Sequence, residues 1–273
     1  MYLGIDIGST TSKCALLSEV GNLLALSLVV GGIGTGGPEE ALAKVLEEAG
    51  VAREQILAVA ATGYGRASWT DADYQVSELT CHGIGGRYIF PEVRTLIDIG
   101  GQDAKVVALT EDGTMAEFLM NDKCAAGTGR FLDVMANILR MDIDSLGEEA
   151  LSAEEHARIS STCTVFAESE VISQLAKGVE RKAIVAGICD SVAARTATLA
   201  KRIGLVEPVC MSGGVARNSG VRAALERRWA YRFSIPRSAS ISAPLAPPFT
   251  PCVKLRNQQI DIVRRRRPTW QKL

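Results

Sequence analysis

The chain has 273 residues, of which 47% are hydrophobic and 5% aromatic, and its formal net charge is -1. A chain of this length and apolar content can bury a sizeable core, which excludes an intrinsically disordered protein. The first residues lack the basic and apolar pattern of a secretion signal. The apolar stretch at residues 23–33 is shorter than the about 20 residues that a membrane span needs. We therefore expect a cytoplasmic protein without a membrane partner.

The charges are unevenly distributed along the chain. From Arg222 onward, basic residues outnumber acidic residues by 12 to 2. A basic arm can bind nucleic acid or a membrane surface, but no stacking motif or clear amphipathic helix accompanies this one. The pattern predicts a solvated tail and no nucleic-acid partner.

An internal duplication organises most of the sequence. The segment "GIDIGSTTSK" at residues 4–13 resembles "LIDIGGQDAK" at residues 96–105. Each copy is an apolar run that ends in Asp-Ile-Gly, continues through small polar residues and resumes as an apolar strand, which predicts a β-hairpin. Helical patterns follow each copy at "PEEALAKVLEEAG", "GRFLDVMANILR", "FAESEVISQLAKG" and "KAIVAGICDSVAARTATLAKRIG".

Strands followed by helices, twice over, predict an α/β fold with two duplicated lobes around a cleft. The first lobe is expected at residues 1–94 and the second at residues 95–226. Residues 227–273 are expected to form an atypical basic tail, which the composition allows to be disordered.

The two hairpins carry the residue types that a phosphate site needs. Glycine permits close backbone approach, and hydroxyl or ammonium groups neutralise the phosphates. Asp6 could hold Mg²⁺ through water, because Mg²⁺ keeps most of its hydration shell, and Asp98 is its counterpart in the second copy. A third glycine element, "MSGGVARN", could receive the adenosine. The predicted nucleotide contacts are Gly8, Ser9, Thr10, Thr11, Lys13, Gly100, Gly101, Asp103, Gly213, Gly214 and Asn218, and the predicted catalytic residues are Asp6, Asp98 and Gln102.

In order and spacing, these three elements resemble the phosphate-one, phosphate-two and adenosine motifs of the superfamily that contains actin, sugar kinases and heat-shock chaperones. The resemblance covers about residues 1–222. It implies an actin-like, ribonuclease H-like ATPase fold that binds ATP or ADP with Mg²⁺. No P-loop motif is present in the sequence.

Two of the seven cysteines, Cys124 and Cys163, come at the starts of predicted helices. A helix N-terminus favours thiolates and anionic clusters, which makes both cysteines candidate metal ligands, and the alternative is that each is a small buried hydrophobic residue. A cubane iron-sulfur cluster normally uses four thiolates, and a chain that supplies two would need a symmetry mate. This predicts a homodimer. Cys81, beside His82 in an expected loop, is a candidate extra ligand, whereas Cys14, Cys189 and Cys210 are expected in the core.

The segments "NDKCAAGTGRFL", "ATGYGR", "SELTCHGIG", "DIGGQDAK" and "FAESEVISQLAKG" together resemble the activators of 2-hydroxyacyl-CoA dehydratases and the ATPase subunits of benzoyl-CoA reductases. The resemblance implies a homodimer with one 4Fe-4S cluster, held by Cys124 and Cys163 of each chain. It further implies that reduced ferredoxin or flavodoxin supplies an electron. ATP hydrolysis would then drive the electron into a partner dehydratase or reductase.

Two other functions fit parts of the sequence. A small-molecule kinase of the same superfamily could use Asp98 or Asp103 as a base, although it would have no reason to place two cysteines at helix starts. The second alternative is a non-functional variant. The composition changes abruptly near Arg228, as it would after a shifted reading frame, a fusion scar or the start of a lineage-specific tail.

Overall fold

The computed structural model describes residues 1–121, 124–160 and 163–229. The predicted tail therefore lies outside the described residues from residue 230 onward. The strands are β1 (Tyr2–Ile7), β2 (Thr11–Leu17), β3 (Leu23–Val30), β4 (Ala58–Thr62), β5 (Tyr74–Gln75), β6 (Thr95–Ile99), β7 (Ala104–Leu109), β8 (Met115–Asn121) and β9 (Val209–Ser212). The helices are α1 (Gly37–Ala49), α2 (Glu78–Ile89), α3 (Gly129–Leu139), α4 (Leu146–Leu151), α5 (Thr164–Ala176), α6 (Arg181–Ile203) and α7 (Ser219–Trp229).

Two sheets repeat one topology. The first has the order β3-β2-β1-β4-β5 and the second has the order β8-β7-β6-β9. In each sheet the first three strands are antiparallel, and the next strand pairs in parallel with the first one. This confirms the predicted α/β class and the duplication, with the two hairpins at β1–β2 and β6–β7.

Each sheet buries its central strands beneath helices. β1 and β6 are almost fully buried, as their continuous apolar sequences predict for strands covered on both faces. On the first sheet, Ala41, Leu42 and Val45 of α1 contribute to the core, as the 3.6-residue spacing predicts. The larger core of the second sheet includes residues from α3, α5 and α6.

Helix α6 is the longest helix of the described residues. By length and hydropathy alone it could cross a membrane, and no other helix in the described part of the chain could. However, 67% of its most apolar window is buried in the second lobe. The apolar sequence of α6 is therefore accounted for by its place in the core.

Helix α2 differs from the expectation, because a loop is expected at "ELTCHGIGG" and the structure has a helix over Glu78–Ile89. Ser77 caps the helix by accepting a hydrogen bond from the Thr80 backbone N–H at 3.1 Å. The helix packs against β6 and β7 of the second sheet, although it precedes the predicted boundary after residue 94. That boundary stays a prediction, and α2 places His82 beside Asp98 and Glu78 beside Lys105.

The same glycine junction occurs in both lobes, where the parallel strand ends beside the acidic strand. Gly63 follows β4 with φ +85°, and a Cβ there would lie 2.3 Å from Asp6 Oδ1. Gly213 follows β9 with φ +82°, and a Cβ there would lie 2.3 Å from the Ile99 carbonyl oxygen. Only glycine combines this backbone conformation with such close approach.

We expect Gly213→Ala to lower the free energy of unfolding by about 2 kcal/mol, because the alanine would combine backbone strain with overlap against β6. Gly214→Ala is the matched control, since its Cβ would meet nothing within 4 Å. We expect a change within about 0.5 kcal/mol for the control. Urea denaturation of both variants measures the difference, and equal stabilities would contradict the close packing at residue 213.

Candidate functional site

The phosphate-one turn between β1 and β2 is fixed by backbone hydrogen bonds. The Gly8 N–H donates to the Thr11 carbonyl oxygen at 3.0 Å. The loop between β3 and α1 also holds this turn, because the N–H groups of Gly31 and Ile33 donate to the carbonyl oxygens of Thr10 and Gly8, both at 2.9 Å. The turn therefore has a defined shape before any ligand binds.

The phosphate-two turn between β6 and β7 repeats this arrangement. The Gly100 N–H donates to the Asp103 carbonyl oxygen at 2.9 Å. Here the first turn of α3 holds the loop, since the N–H groups of Gly129 and Arg130 donate to the carbonyl oxygens of Gly100 and Gly101, both at 2.8 Å. Helix α3 is thus attached directly to the second phosphate-binding turn.

The two turns face each other across the cleft. A Cβ on Gly101 would lie 3.5 Å from Thr10 Oγ1. The backbone N–H groups of Ser9, Thr10, Gly101 and Gln102 have no acceptor among the described residues. Unpaired N–H groups on a glycine turn form an anion-binding surface. The structure thus brings the phosphate residues predicted from both hairpins to the same place.

Each acidic strand residue faces a lysine across its hairpin. Asp6 is paired in register with Lys13, and Asp98 with Lys105. Lys13 Nζ lies 2.9 Å from Asp6 Oδ2, and both side chains are partly accessible. Lys105 differs, because its side chain is only 3% exposed.

Lys105 is the centre of a buried group of charges. Its Nζ lies 2.8 Å from Glu78 Oε1, 2.9 Å from Asp103 Oδ1 and 3.6 Å from Asp98 Oδ2. Burial alone would lower the pKa of Lys105, but the charges of Asp98, Glu78 and Asp103 raise it above its usual range. The ammonium therefore stays charged and neutralises carboxylates from α2, β6 and the phosphate-two turn.

His82 completes the partners of Asp98. Its Nε2 lies 3.3 Å from Asp98 Oδ1, and Ser212 Oγ donates to the same oxygen at 2.9 Å. Burial would lower the pKa of His82, but Asp98 and Glu78 raise it to about 9. Burial would raise the pKa of Asp98, but His82, Lys105 and Ser212 hold it well below its usual range. Asp98 is therefore a carboxylate next to an imidazolium.

Glu78, His82 and Asp98 also have the donor atoms of a metal site, since their ligand atoms all lie within 4.8 Å of one another. Lys105 already supplies a positive charge to this group, with contacts to two of its three members. A metal ion there would have to displace a buried ammonium. The arrangement is therefore that of an ion-pair network rather than a metal centre.

Tyr64 connects the two lobes. It lies between Gly63 and Gly65 in the loop after β4, and its hydroxyl donates to Asp103 Oδ2 at 3.3 Å. Burial and the neighbouring Asp103 raise the pKa of Tyr64, so the phenol stays protonated as a donor. A first-lobe side chain thereby contacts the phosphate-two turn.

The predicted adenosine element follows β9. Gly213 touches the end of β6, and Gly214 is exposed. The Asn218 Oδ1 atom accepts a hydrogen bond from the Val221 N–H at 2.9 Å and thus caps α7. This side-chain oxygen therefore has a structural role, and a nucleotide contact by Asn218 stays a prediction.

The two predicted ligand cysteines have different local settings. Cys163 is the N-cap residue of α5, as predicted. Cys124 does not start a helix, which corrects the prediction, because Thr128 is the N-cap of α3. Cys124 instead lies in the loop after β8, where Asn121 Nδ2 donates to its carbonyl oxygen at 3.0 Å. The helices that follow the two cysteines, α3 and α5, pack against each other.

Exposure separates these two thiols from the other described cysteines. Cys124 and Cys163 are partly exposed, and the other four are buried. Burial raises the pKa of Cys81 to about 11, so its thiol stays protonated. Cys81 lies on α2 rather than in the expected loop, and its burial disfavours the extra-ligand role. The remaining three, predicted in the core, are buried as predicted: Cys14, Cys189 and Cys210.

Several residues at the site were not identified from the sequence. They include the Gly31–Gly32 pair, whose second glycine would place a Cβ 2.4 Å from the Gly8 carbonyl oxygen. The run "GGIGTGG" was a signal for such close contact. Glu78 and Thr62 carried no comparable signal, because their roles depend on packing between distant segments.

The duplicated sheets and opposed phosphate-binding turns define an ATPase of the actin-like class. A family model agrees with this class, since the BadF/BadG/BcrA/BcrD ATPase family matches residues 3–242. The chain therefore belongs to this family.

Individual relatives are similar over most of their length. The (R)-2-hydroxyglutaryl-CoA dehydratase activating ATPase of Acidaminococcus fermentans is 56% identical over 225 residues, which cover 82% of this chain and 86% of the relative. The crystal structure of component A of that dehydratase matches with a TM-score of 0.83 and 53% identity, covering 88% of this chain and 93% of that one.

A second similar structure contains a bound nucleotide analogue. The activator of the 2-hydroxyisocaproyl-CoA dehydratase from Clostridium difficile, with bound ADPNP, matches with a TM-score of 0.83 and 50% identity. The match covers 87% of this chain and 90% of that one. These similarities confirm the predicted family and the actin-like ATPase fold.

The charge of His82 makes the stability of the protein depend on pH. Its pKa is about 9 in the folded protein, above its ordinary value of 6.5. A raised folded-state pKa stabilises the protein fully below pH 6.5, and this stabilisation is lost as the pH rises through 9. We expect the free energy of unfolding to fall by on the order of 3 kcal/mol over this window.

In His82→Gln this decline should largely disappear, because glutamine does not titrate. Urea denaturation at several pH values between 6 and 10 provides the measurement. His156→Gln is the control, because it removes the other histidine of the chain and leaves His82 in place. An unchanged slope in His82→Gln would show that another group causes the decline.

Proposed function

We propose that this chain is an ATP-dependent one-electron donor that activates a 2-hydroxyacyl-CoA dehydratase or a benzoyl-CoA reductase type of enzyme. In this proposal two chains form a homodimer with one bridging 4Fe-4S cluster. The observation that carries the proposal is the attachment of the phosphate-two turn to α3, the helix that follows Cys124. The identities of 50–56% to dehydratase activators support the same reaction class.

ATP or ADP would bind between the opposed turns. The unpaired N–H groups of both turns fit phosphate oxygens, and Lys13 can reach them from Asp6 more easily than the buried Lys105 could. Asp6 would hold Mg²⁺ through water, since Mg²⁺ keeps most of its hydration shell. The ADPNP bound to the related activator supports the binding of an adenine nucleotide by this chain.

Cys124 and Cys163 would bind the cluster. They are the two partly exposed thiols of the described residues, and they precede two helices that pack together. A bound 4Fe-4S cluster would accept and release one electron at a time. Since a cubane normally uses four thiolates, the second pair would come from a second copy of the chain.

The surface beside Cys163 suits a protein interface. Val165 and Phe166, in the first turn of α5, are 67% and 63% exposed, and Ile172 and Leu175 follow on the same helix. Exposed apolar side chains of this kind mark contacts with other proteins. Reduced ferredoxin or flavodoxin would supply the electron, and the acyl-CoA enzyme would receive it. The free thiols of the described cysteines are consistent with a cytoplasmic location.

The loops that carry the cysteines are joined to the nucleotide site and the core by short contacts. Asn121 Nδ2 donates to the carbonyl oxygens of Cys124 and Ala126, while α3 donates to the phosphate-two turn. On the other side, Ser191 of α6 donates to the Ser160 carbonyl oxygen at 3.3 Å, three residues before Cys163. Movement of the phosphate-two turn would therefore be transmitted to Cys124 through α3.

The kinase alternative is less well supported by the site. A kinase base must accept a proton from its substrate. Asp98 is a weak base, because its pKa is held well below the usual range, and Asp103 already accepts from Lys105 and Tyr64. Asp98 is therefore poorly suited to proton abstraction, and both oxygens of Asp103 already have donors within the protein.

The cluster is tested by anaerobic iron-sulfur reconstitution followed by iron analysis and visible and electron-spin spectra. We expect about four irons per dimer in the wild type and their loss in Cys124→Ala and Cys163→Ala. Cys81→Ala is the control and should keep the wild-type iron content, because Cys81 is buried on α2. A colourless wild type that still hydrolyses ATP would contradict the electron-transfer function.

The coupling of nucleotide to cluster is tested by iron release. We expect an iron chelator to remove iron from the reconstituted dimer at different rates with ADP and with a non-hydrolysable ATP analogue, because the phosphate-two turn contacts α3. Partner affinity should differ between the same two states. Equal rates and equal affinities would contradict nucleotide-driven coupling.

A further inference from the structure

One buried hydroxyl at the nucleotide cleft lacks a hydrogen bond. Thr62, the last residue of β4, is 2% exposed, and its Oγ1 has no hydrogen-bond partner among the described residues. The Cys81 thiol lies near it but does not meet the geometry of a hydrogen bond with it. A buried unpaired hydroxyl destabilises a protein, so its presence at a binding site calls for a reason.

The corresponding position in the second lobe indicates which group could accept a hydrogen bond from the Thr62 hydroxyl. Thr62 is paired in register with Asp6, and Ser212 is paired in register with Asp98. Residues paired in neighbouring strands place their side chains on the same face of the sheet. Ser212 Oγ donates to Asp98 at 2.9 Å. The duplication thus places a hydroxyl beside each acidic residue, but only the hydroxyl of the second lobe is paired in the described structure.

The lysines of the two lobes differ in their contacts. Lys105 makes its closest contacts with Glu78 and Asp103, and Asp98 accepts from Ser212. In the first lobe Lys13 Nζ is 2.9 Å from Asp6 Oδ2, so the Lys13 ammonium is itself the partner of that carboxylate. Bound phosphates would attract the Lys13 ammonium, and Asp6 would then need another donor.

We propose that Thr62 is a positioning residue for the nucleotide site, whose hydroxyl donates to the Asp6 carboxylate when a magnesium nucleotide draws Lys13 to the phosphates. This inference rests on the proposed nucleotide site. The hydrogen bond would fix the orientation of Asp6 toward the water shell of Mg²⁺. It would also satisfy the Thr62 hydroxyl, so that part of the binding energy comes from a group left unpaired in the free protein.

Thr62→Val tests the inference, because valine keeps the shape of threonine and lacks the hydroxyl. We expect this variant to bind a non-hydrolysable ATP analogue with Mg²⁺ about tenfold more weakly than the wild type, as the loss of one hydrogen bond to a charged group predicts. Isothermal titration calorimetry measures the affinity. Thr62→Ser, which keeps the hydroxyl, should bind within about twofold of the wild type.

The same variants should behave differently without nucleotide. The midpoint of thermal unfolding of nucleotide-free Thr62→Val should equal or exceed that of the wild type, because the variant no longer buries an unpaired hydroxyl. Ser212→Ala is the matched control in the second lobe and should unfold at a lower temperature, because it removes a hydrogen bond that is already formed.

The outcomes separate the inference from the proposed function. A wild type that binds no magnesium nucleotide would overturn the proposed function and this inference together. A wild type that binds it, with Thr62→Val equally tight or Thr62→Ser equally weak, would overturn the inference alone. A nucleotide-free Thr62→Val that is destabilised as much as Ser212→Ala would also overturn it, because the hydroxyl would then have a partner before nucleotide binds.

Discussion

The cleft depends on the charge of one buried lysine. Without Lys105, the carboxylates of Glu78, Asp98 and Asp103 would meet at close range with His82 as their remaining described cation. Breaking a buried ion pair by removing one partner typically costs about 3–5 kcal/mol, because a charge is left uncompensated. These carboxylates come from α2, β6 and the phosphate-two turn, so the ammonium holds together the segments that shape the second half of the nucleotide site.

The surroundings of this lysine also distinguish the two copies of the hairpin. In the second lobe the acid, the lysine and the hydroxyl are all paired in the buried network. In the first lobe the corresponding acid and lysine pair with each other and are more accessible than Lys105, and Thr62 Oγ1 has no hydrogen-bond partner among the described residues. Breaking a buried ion pair leaves an uncompensated charge and is costly, and this cost falls as the pair becomes more accessible to water. The second lobe is thus suited to hold a fixed geometry, and in the proposed role of Thr62 the first lobe would exchange partners when a ligand binds.

The sequence predicts the parts of the molecule that depend on local pattern. The repeated Asp-Ile-Gly hairpins, the amphipathic face of α1 and the core cysteines follow from residue spacing and composition. Helix α2 does not, because its three glycines at residues 83, 85 and 86 have low intrinsic helix propensity. Gly86 is needed there, since a Cβ would lie 2.6 Å from a methyl group of Leu96. Packing between α2 and β6 therefore overrides the local preference. The pairing of Glu78 with Lys105 cannot be predicted from residue spacing either, because the two residues are 27 positions apart.

The position of Cys124 bears on the proposed coupling of nucleotide to cluster. A thiol at the N-cap of α3 would have been held rigidly by the helix. Instead, the N-terminal end of α3 is hydrogen-bonded to the phosphate-two turn, because the N–H groups of Gly129 and Arg130 donate to carbonyl oxygens of that turn. The thiol is left on the preceding loop, which Asn121 fastens to the end of β8. A shift of the turn would move α3 as a rigid body, and the loop would convert that shift into a change at the thiol. In the proposed coupling, this contact would be the route by which the nucleotide state reaches Cys124.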